Sequence, residues 1–182
     1  MPVRLPLVAV VLVLGVTLGV VAVATLSAPP REESVAQHEA RPTAGSPAAE
    51  RSALTVLHEW DARRAIAWAA GDASAVRGLY TPGSAAGAAD ARLLGRYRAR
   101  GLVVRDLRMQ VLRARVLVTR PSRLELEVTD RVAGATAVRA DDVATGRRLP
   151  ADRPSTHVLV LRRVDATWLM ASVSAKASSR SR

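Results

Sequence analysis

From Leu5 to Leu26 the chain carries no charged residue and is built almost wholly from Val, Leu, Ala and Gly. As a helix it would reach roughly 33 Å, enough to cross a hydrocarbon core of about 30 Å. In lipid only a helix satisfies its own backbone, so the β-branched Val residues do not argue against that state. Arg4 precedes the run, and Arg31, Glu32 and Glu33 follow it. The positive end stays inside, so residues 1–4 are expected in the cytoplasm and everything beyond the run outside. A cleaved signal peptide is the rival reading, with Ala22-Val23-Ala24 as a weak site. Its apolar core would be about 7–15 residues, shorter than this one, so an uncleaved anchor is the expectation. Both readings export the rest of the chain, and a lipoprotein is excluded because there is no Cys.

Residues 27–49 are rich in Pro, Ala, Ser, Thr and Glu. Such a stretch buries too little apolar surface to offset its ordering entropy and reads as a stalk. About 130 residues remain, the size of one domain, assigned to 50–175, with 176–182 as a tail. Without Cys there are no disulfides, thiolate nucleophiles or Cys-ligated metals. The net charge of +11 rests on Arg, with Lys176 as the sole Lys. It suits an electrostatic grip on anionic lipid or wall polymer, or simply a composition heavy in Arg, Ala, Val and Gly. The Arg residues are scattered among Asp and Glu, which favours the second. Phe is absent and Trp and Tyr are few, so nucleic-acid binding is not expected.

Ala53, Val56, Leu57, Trp60, Ala67 and Trp68 share one stripe at helical spacing, predicting a helix from about Ala49 to Ala70 that Gly71 ends. Asp72 caps a short second helix, and Ser84 caps a third over Ala85–Arg100 that presents Ala89, Leu93, Leu94 and Tyr97. The apolar parity then runs Leu107, Met109, Val111 and switches to Leu112, Ala114, Val116, Val118, as a β-bulge would make it. Arg120-Pro121-Ser122-Arg123 is a turn before a strand of Leu124, Leu126 and Val128. Residues 133–154 read as irregular, with a short strand near 135–139. Thr156–Val164 is apolar enough to be covered on both faces, and Asp165-Ala166-Thr167 turns it into a last strand, Trp168–Ser174. The plan is α+β: a transmembrane helix, then three helices packed on a curved antiparallel sheet.

Trp68-Ala69-Ala70-Gly71-Asp72, followed by Leu79-Tyr80-Thr81-Pro82-Gly83-Ser84, resembles the first-to-second-helix passage of the nuclear transport factor 2-like superfamily, which includes the SnoaL-like polyketide cyclases. The hairpin ending in Trp168-Leu169 resembles its last strands. Anchor plus domain resembles small actinobacterial membrane proteins and, more distantly, the Mce-associated ones. The resemblance implies a cone with helices on the concave face of a bent sheet around a pocket. Its enzymes place Tyr, Asp or His there. The steroid isomerase relatives use a Tyr on the first helix and an Asp after the second, where this chain has no Tyr and Thr81-Pro82-Gly83-Ser84.

The pocket candidates are Trp60, Asp61, Arg64, Trp68 and Tyr80. Asp61 and Arg64 would hold a polar or anionic ligand, or form an i,i+3 surface pair worth a few tenths of a kcal/mol. His58 and His157 would act as acid or base, or be solvated. Asp141-Asp142 supplies too few oxygens for calcium, and no nucleophile elbow, phosphate loop or zinc spacing is present. No catalytic residue, cofactor or metal is therefore expected. The expected function is a single-pass envelope protein whose outer domain binds a partner protein or a small apolar ligand without chemistry. The alternative is an extracytoplasmic cyclase- or isomerase-like enzyme using Asp61 with His58 or His157. It requires a deep pocket rather than a cone filled by side chains.

Overall fold

The computed structural model describes residues 46–142, 144 and 146–176. The apolar run 5–26 and the stalk to residue 45 lie outside them. Among the described residues no helix is long and apolar enough to cross a membrane.

Three helices come first: α1 (Pro47–Ala70), α2 (Ala73–Gly78) and α3 (Ala85–Arg98). Ser46 caps α1, with its hydroxyl accepting from the Ala49 amide and Pro47 at the first turn, where a missing N–H costs nothing. The last residues read as stalk therefore belong to this helix. Gly71 ends it at φ 66°, the left-handed conformation that glycine takes without strain. The Asp72 carboxylate accepts from the Ser74 and Ala75 amides, and the Ser84 hydroxyl from the Gly87 amide, as their cap positions predict.

Five strands follow: β1 (Leu102–Arg120), β2 (Arg123–Arg139), β3 (Gly146–Arg148), β4 (Ser155–Val164) and β5 (Thr167–Ala175). They form one antiparallel sheet in the order β1-β2-β4-β5, with β3 on the far half of β2. The pairing of β1 with β2 slips between Val111 and Arg113, where the parity switch placed a bulge, and again near Arg108 and Val116. These irregularities bend the hairpin so that its inner face wraps the helices. Leu112 is not on the inner face. It is 47% exposed and shares the bulge with Arg113, so Ala114 and Val116 resume the inward pattern.

Two further expectations change. β2 runs unbroken to Arg139, so the short strand expected near 135–139 is its far half, held by β1 on one side and β3 on the other, rather than a separate element in an irregular stretch. In β4 only Leu159 and Leu161 are buried, while Val158 and Val160 on the outer face are half-covered. The Asp165-Ala166 turn has φ 45° and 66°, the mirror-image geometry of a two-residue hairpin. Lys176, assigned to the tail, is tied in: its amide donates to Thr156 and its ammonium to Glu127.

The core is the helix layer against the sheet's inner face, centred on Trp68, Leu94, Leu126, Leu161 and Met170. The α2–α3 connection is stitched to β5. The Met170 amide donates to the Leu79 carbonyl (2.9 Å), and the Thr81 amide to the Met170 carbonyl (3.0 Å). The Leu79 carbonyl also accepts the Trp60 indole N–H at 2.9 Å, which fixes α1 to the same point.

Candidate functional site

Along the buried stripe of α1, Trp60, Arg64 and Trp68 follow at one-turn intervals. Along that of α3, Asp90 stands among Ala86, Gly87, Leu94 and Tyr97. The two interruptions meet. Arg64 Nε and Nη2 donate to Asp90 Oδ2 and Oδ1, both at 2.7 Å. Trp68 Nε1 donates to Oδ1 (3.2 Å) and the Tyr80 hydroxyl to Oδ2 (2.9 Å). Asp90 is 6% exposed, and its carboxylate accepts from four donors, the full complement such a group takes when buried. The Arg64 guanidinium also lies 5.5 Å from the Trp68 ring centre, a cation–π distance. Trp60 meets Tyr80 edge-on at 5.3 Å, and Trp68 meets Tyr97 at 5.9 Å.

Burial pulls the Arg64 guanidinium down, but the Asp90 hydrogen bonds and charge outweigh it and hold its pKa above the usual value. Burial and the Asp90 charge push the Tyr80 phenol up, so it remains a donor at physiological pH. Gly87 makes room for that phenol: a Cβ there would sit 2.7 Å from Tyr80 Cγ.

The surface pair of Asp61 with Arg64 does not form, because Arg64 turns inward to Asp90. Asp61 is half-buried, and burial raises its pKa to about 7, with the Arg64 charge opposing and the Asp130 charge adding. Burial also raises Asp130, against the attraction of His157 and Arg64. His157 Nε2 lies 3.8 Å from Asp130 and 2.8 Å from the Ser155 hydroxyl. His58 is exposed on α1, so the two histidines are not brought together.

Of the five pocket candidates, Arg64 and Trp68 line a cavity, with Tyr97, Val104, Leu107 and Val132 among its other walls. Its volume is about 10 Å³, room for at most one water. Tyr80 belongs to the Asp90 network, Trp60 packs edge-on against it, and Asp61 lies beside Asp130. This cavity is not the deep pocket the enzymatic alternative requires. Nor do three His, Asp or Glu among the described residues approach closely enough to hold a metal. Sequence reasoning missed Asp90 and Asp130. An acid in the apolar stripe of one helix and a base in that of another was the available signal for Asp90.

A scan of the sequence against family models gives no match, nor does a search of curated proteins. Among solved structures the chain is similar to Aln2 from a Streptomyces species, at 13% identity over 74% of this chain and 94% of that one, with a TM-score of 0.48. It is similar to the intermembrane space region of the chloroplast protein ARC6, at 13% identity, 70% and 96% coverage, and a TM-score of 0.45. It is also similar to an NTF2-like protein with a cystatin-like fold from Novosphingobium aromaticivorans, at 17% identity, 75% and 92% coverage, and a TM-score of 0.37. These superpositions are loose, and the fold described above stands on the chain's own elements.

Proposed function

We propose that this chain is a single-pass envelope protein. Residues 5–26 anchor it with the amino terminus inside, and the folded unit stands outside the cytoplasmic membrane. That unit follows the nuclear transport factor 2-like plan and works by binding or assembly, not by chemistry. One observation supports the non-catalytic part: the acid buried between the helices is already fully used. Asp90 has every oxygen engaged by Arg64, Trp68 and Tyr80, beside a cavity of about 10 Å³. The uncharged run and its flanking charges support the placement.

In cells, a phosphatase fused after Arg182 is active and a fluorescent protein fused there is dark. The reverse refutes the placement. An Asp61→Asn/His157→Gln chain, made at normal level, replaces the wild type without loss, whereas loss of function refutes a non-catalytic role. That second outcome is what the remaining reading expects. In it an acid/base enzyme acts on a small apolar ligand, favoured by the raised Asp61 and the Asp130–His157 contact.

A further inference from the structure

The outer face of the sheet along β1 carries an arginine row of which only Arg115 has an ion-pair partner among the described residues. Val104, Leu107, Met109, Val111, Ala114 and Val116 turn toward the core, so Arg105, Arg108, Arg113 and Arg115 turn away from it. Strand pairing extends the row. Arg105, Thr136 and Arg148 share one rung across β1, β2 and β3, and residues of one rung point to one face. Arg108 lies opposite Gly134, where a Cβ would come 3.0 Å from its Nη2, so the missing side chain lets the guanidinium lie flat on the strand. Gln110 lies opposite Arg131 and accepts its Nε–H at 2.8 Å. Glu127, opposite Arg115, is the carboxylate on these rungs; it pairs with Arg115 at 3.4 Å and with Lys176. Among the described residues Arg105, Arg108, Arg113 and Arg148 have no ion-pair partner.

We propose that this row is a docking surface for a linear, base-free phosphodiester polyanion of the polyol-phosphate kind. Along β1 the arginines span roughly 30 Å at gaps of three, five and two residues, about 10, 17 and 7 Å, with Arg131 of β2 beside the widest gap and Arg148 two strands over. A flexible chain of phosphodiesters can follow so uneven a line of charge, and guanidinium forks match phosphate oxygens. A nucleic acid would also need aromatic faces to stack on. Trp60, Trp68, Tyr80 and Tyr97 are buried. Trp168 lies on the inner side, packed against the core. Choosing a base-free polymer rests on the envelope placement proposed above.

The test uses the full chain in discs of neutral lipid, with labelled, lipid-free poly(glycerol phosphate) as the probe. Binding weakens steeply with salt. In the Arg105→Gln/Arg108→Gln/Arg113→Gln/Arg148→Gln chain the slope of log affinity against log salt falls by about 3, at roughly 0.7 per lost contact. Removing as much charge from the helices and the turn after α3, by Arg77→Gln/Arg92→Gln/Arg96→Gln/Arg100→Gln, leaves the slope unchanged. Equal losses in both variants mean net charge alone. No loss in either means the arginines only guard the sheet edge. Equal or tighter binding of an oligo-deoxythymidine, or displacement of the polymer when the discs contain phosphatidylglycerol, assigns the row to nucleic acid or to the bilayer. Each of these overturns the proposal. A cytosolic carboxy terminus in the reporter test would remove the placement while leaving any binding measured here intact.

Discussion

Replacing Asp90 by Leu tests whether the helix layer hangs on one carboxylate. Three consequences follow from the geometry. The Arg64 guanidinium, whose side chain is 11% exposed, loses both 2.7 Å hydrogen bonds and stays buried with its charge. The Tyr80 hydroxyl and the Trp68 indole N–H lose their acceptor. Breaking a buried pair by removing one partner costs about 3–5 kcal/mol, and an orphaned buried donor about 1–3 kcal/mol. These overlap, so about 5 kcal/mol is expected, comparable to the whole stability of many domains this size. Arg64→Met alone should cost about 3–5 kcal/mol. Arg64→Met/Tyr80→Phe/Asp90→Leu removes charge, donor and acceptor together and should recover most of the loss, because apolar groups of similar volume replace the network. Equilibrium urea melts of residues 46–182, followed by circular dichroism and Trp fluorescence, measure this. The reasoning fails if the single losses simply add in the triple variant to within about 0.5 kcal/mol. If Asp90→Leu alone does not fold, a cooperative melt of the triple variant still carries the test.

The Asp61 pKa gives a signed pH dependence. Raised from 3.8 to about 7, it makes the folded state bind more protons than the unfolded one between those values, so stability falls as pH rises from about 4 to 7 and is flat beyond. Asp61→Asn should remove most of that slope and be more stable at pH 8 by a few kcal/mol, at about 1.4 kcal/mol for each tenfold change in proton affinity. Melts at both pH values that match the wild type would contradict it. Gly87→Ala drives a methyl against Tyr80 and should cost about 1–3 kcal/mol by displacing the phenol from Asp90. The Trp60 emission, edge-on to Tyr80, should change with it, and an unchanged melt would mean the ring moves freely.

The parts of this protein legible in its residues are those that depend on near neighbours. A helix start needs a side-chain oxygen two or three positions before an open amide, and a helix stop a glycine free to turn left-handed, so Asp72, Ser84 and Gly71 declared themselves. The bulge at Val111–Arg113 showed as a shift in a period-two pattern, and the Asp165-Ala166 turn as a polar break between apolar runs. Partners far apart along the chain left no such mark. Arg64 had Asp61 one turn away and Asp90 26 positions away, and only the packing of α1 on α3 selects the second. Asp61 has an ordinary carboxylate sequence context, and its raised pKa arises from burial next to Asp130 on another element. Arg105 and Arg148 became neighbours of one Thr because β2 pairs on both edges. Desolvation and Coulomb energy depend on where chain segments meet in space, and helix packing and strand pairing decide that.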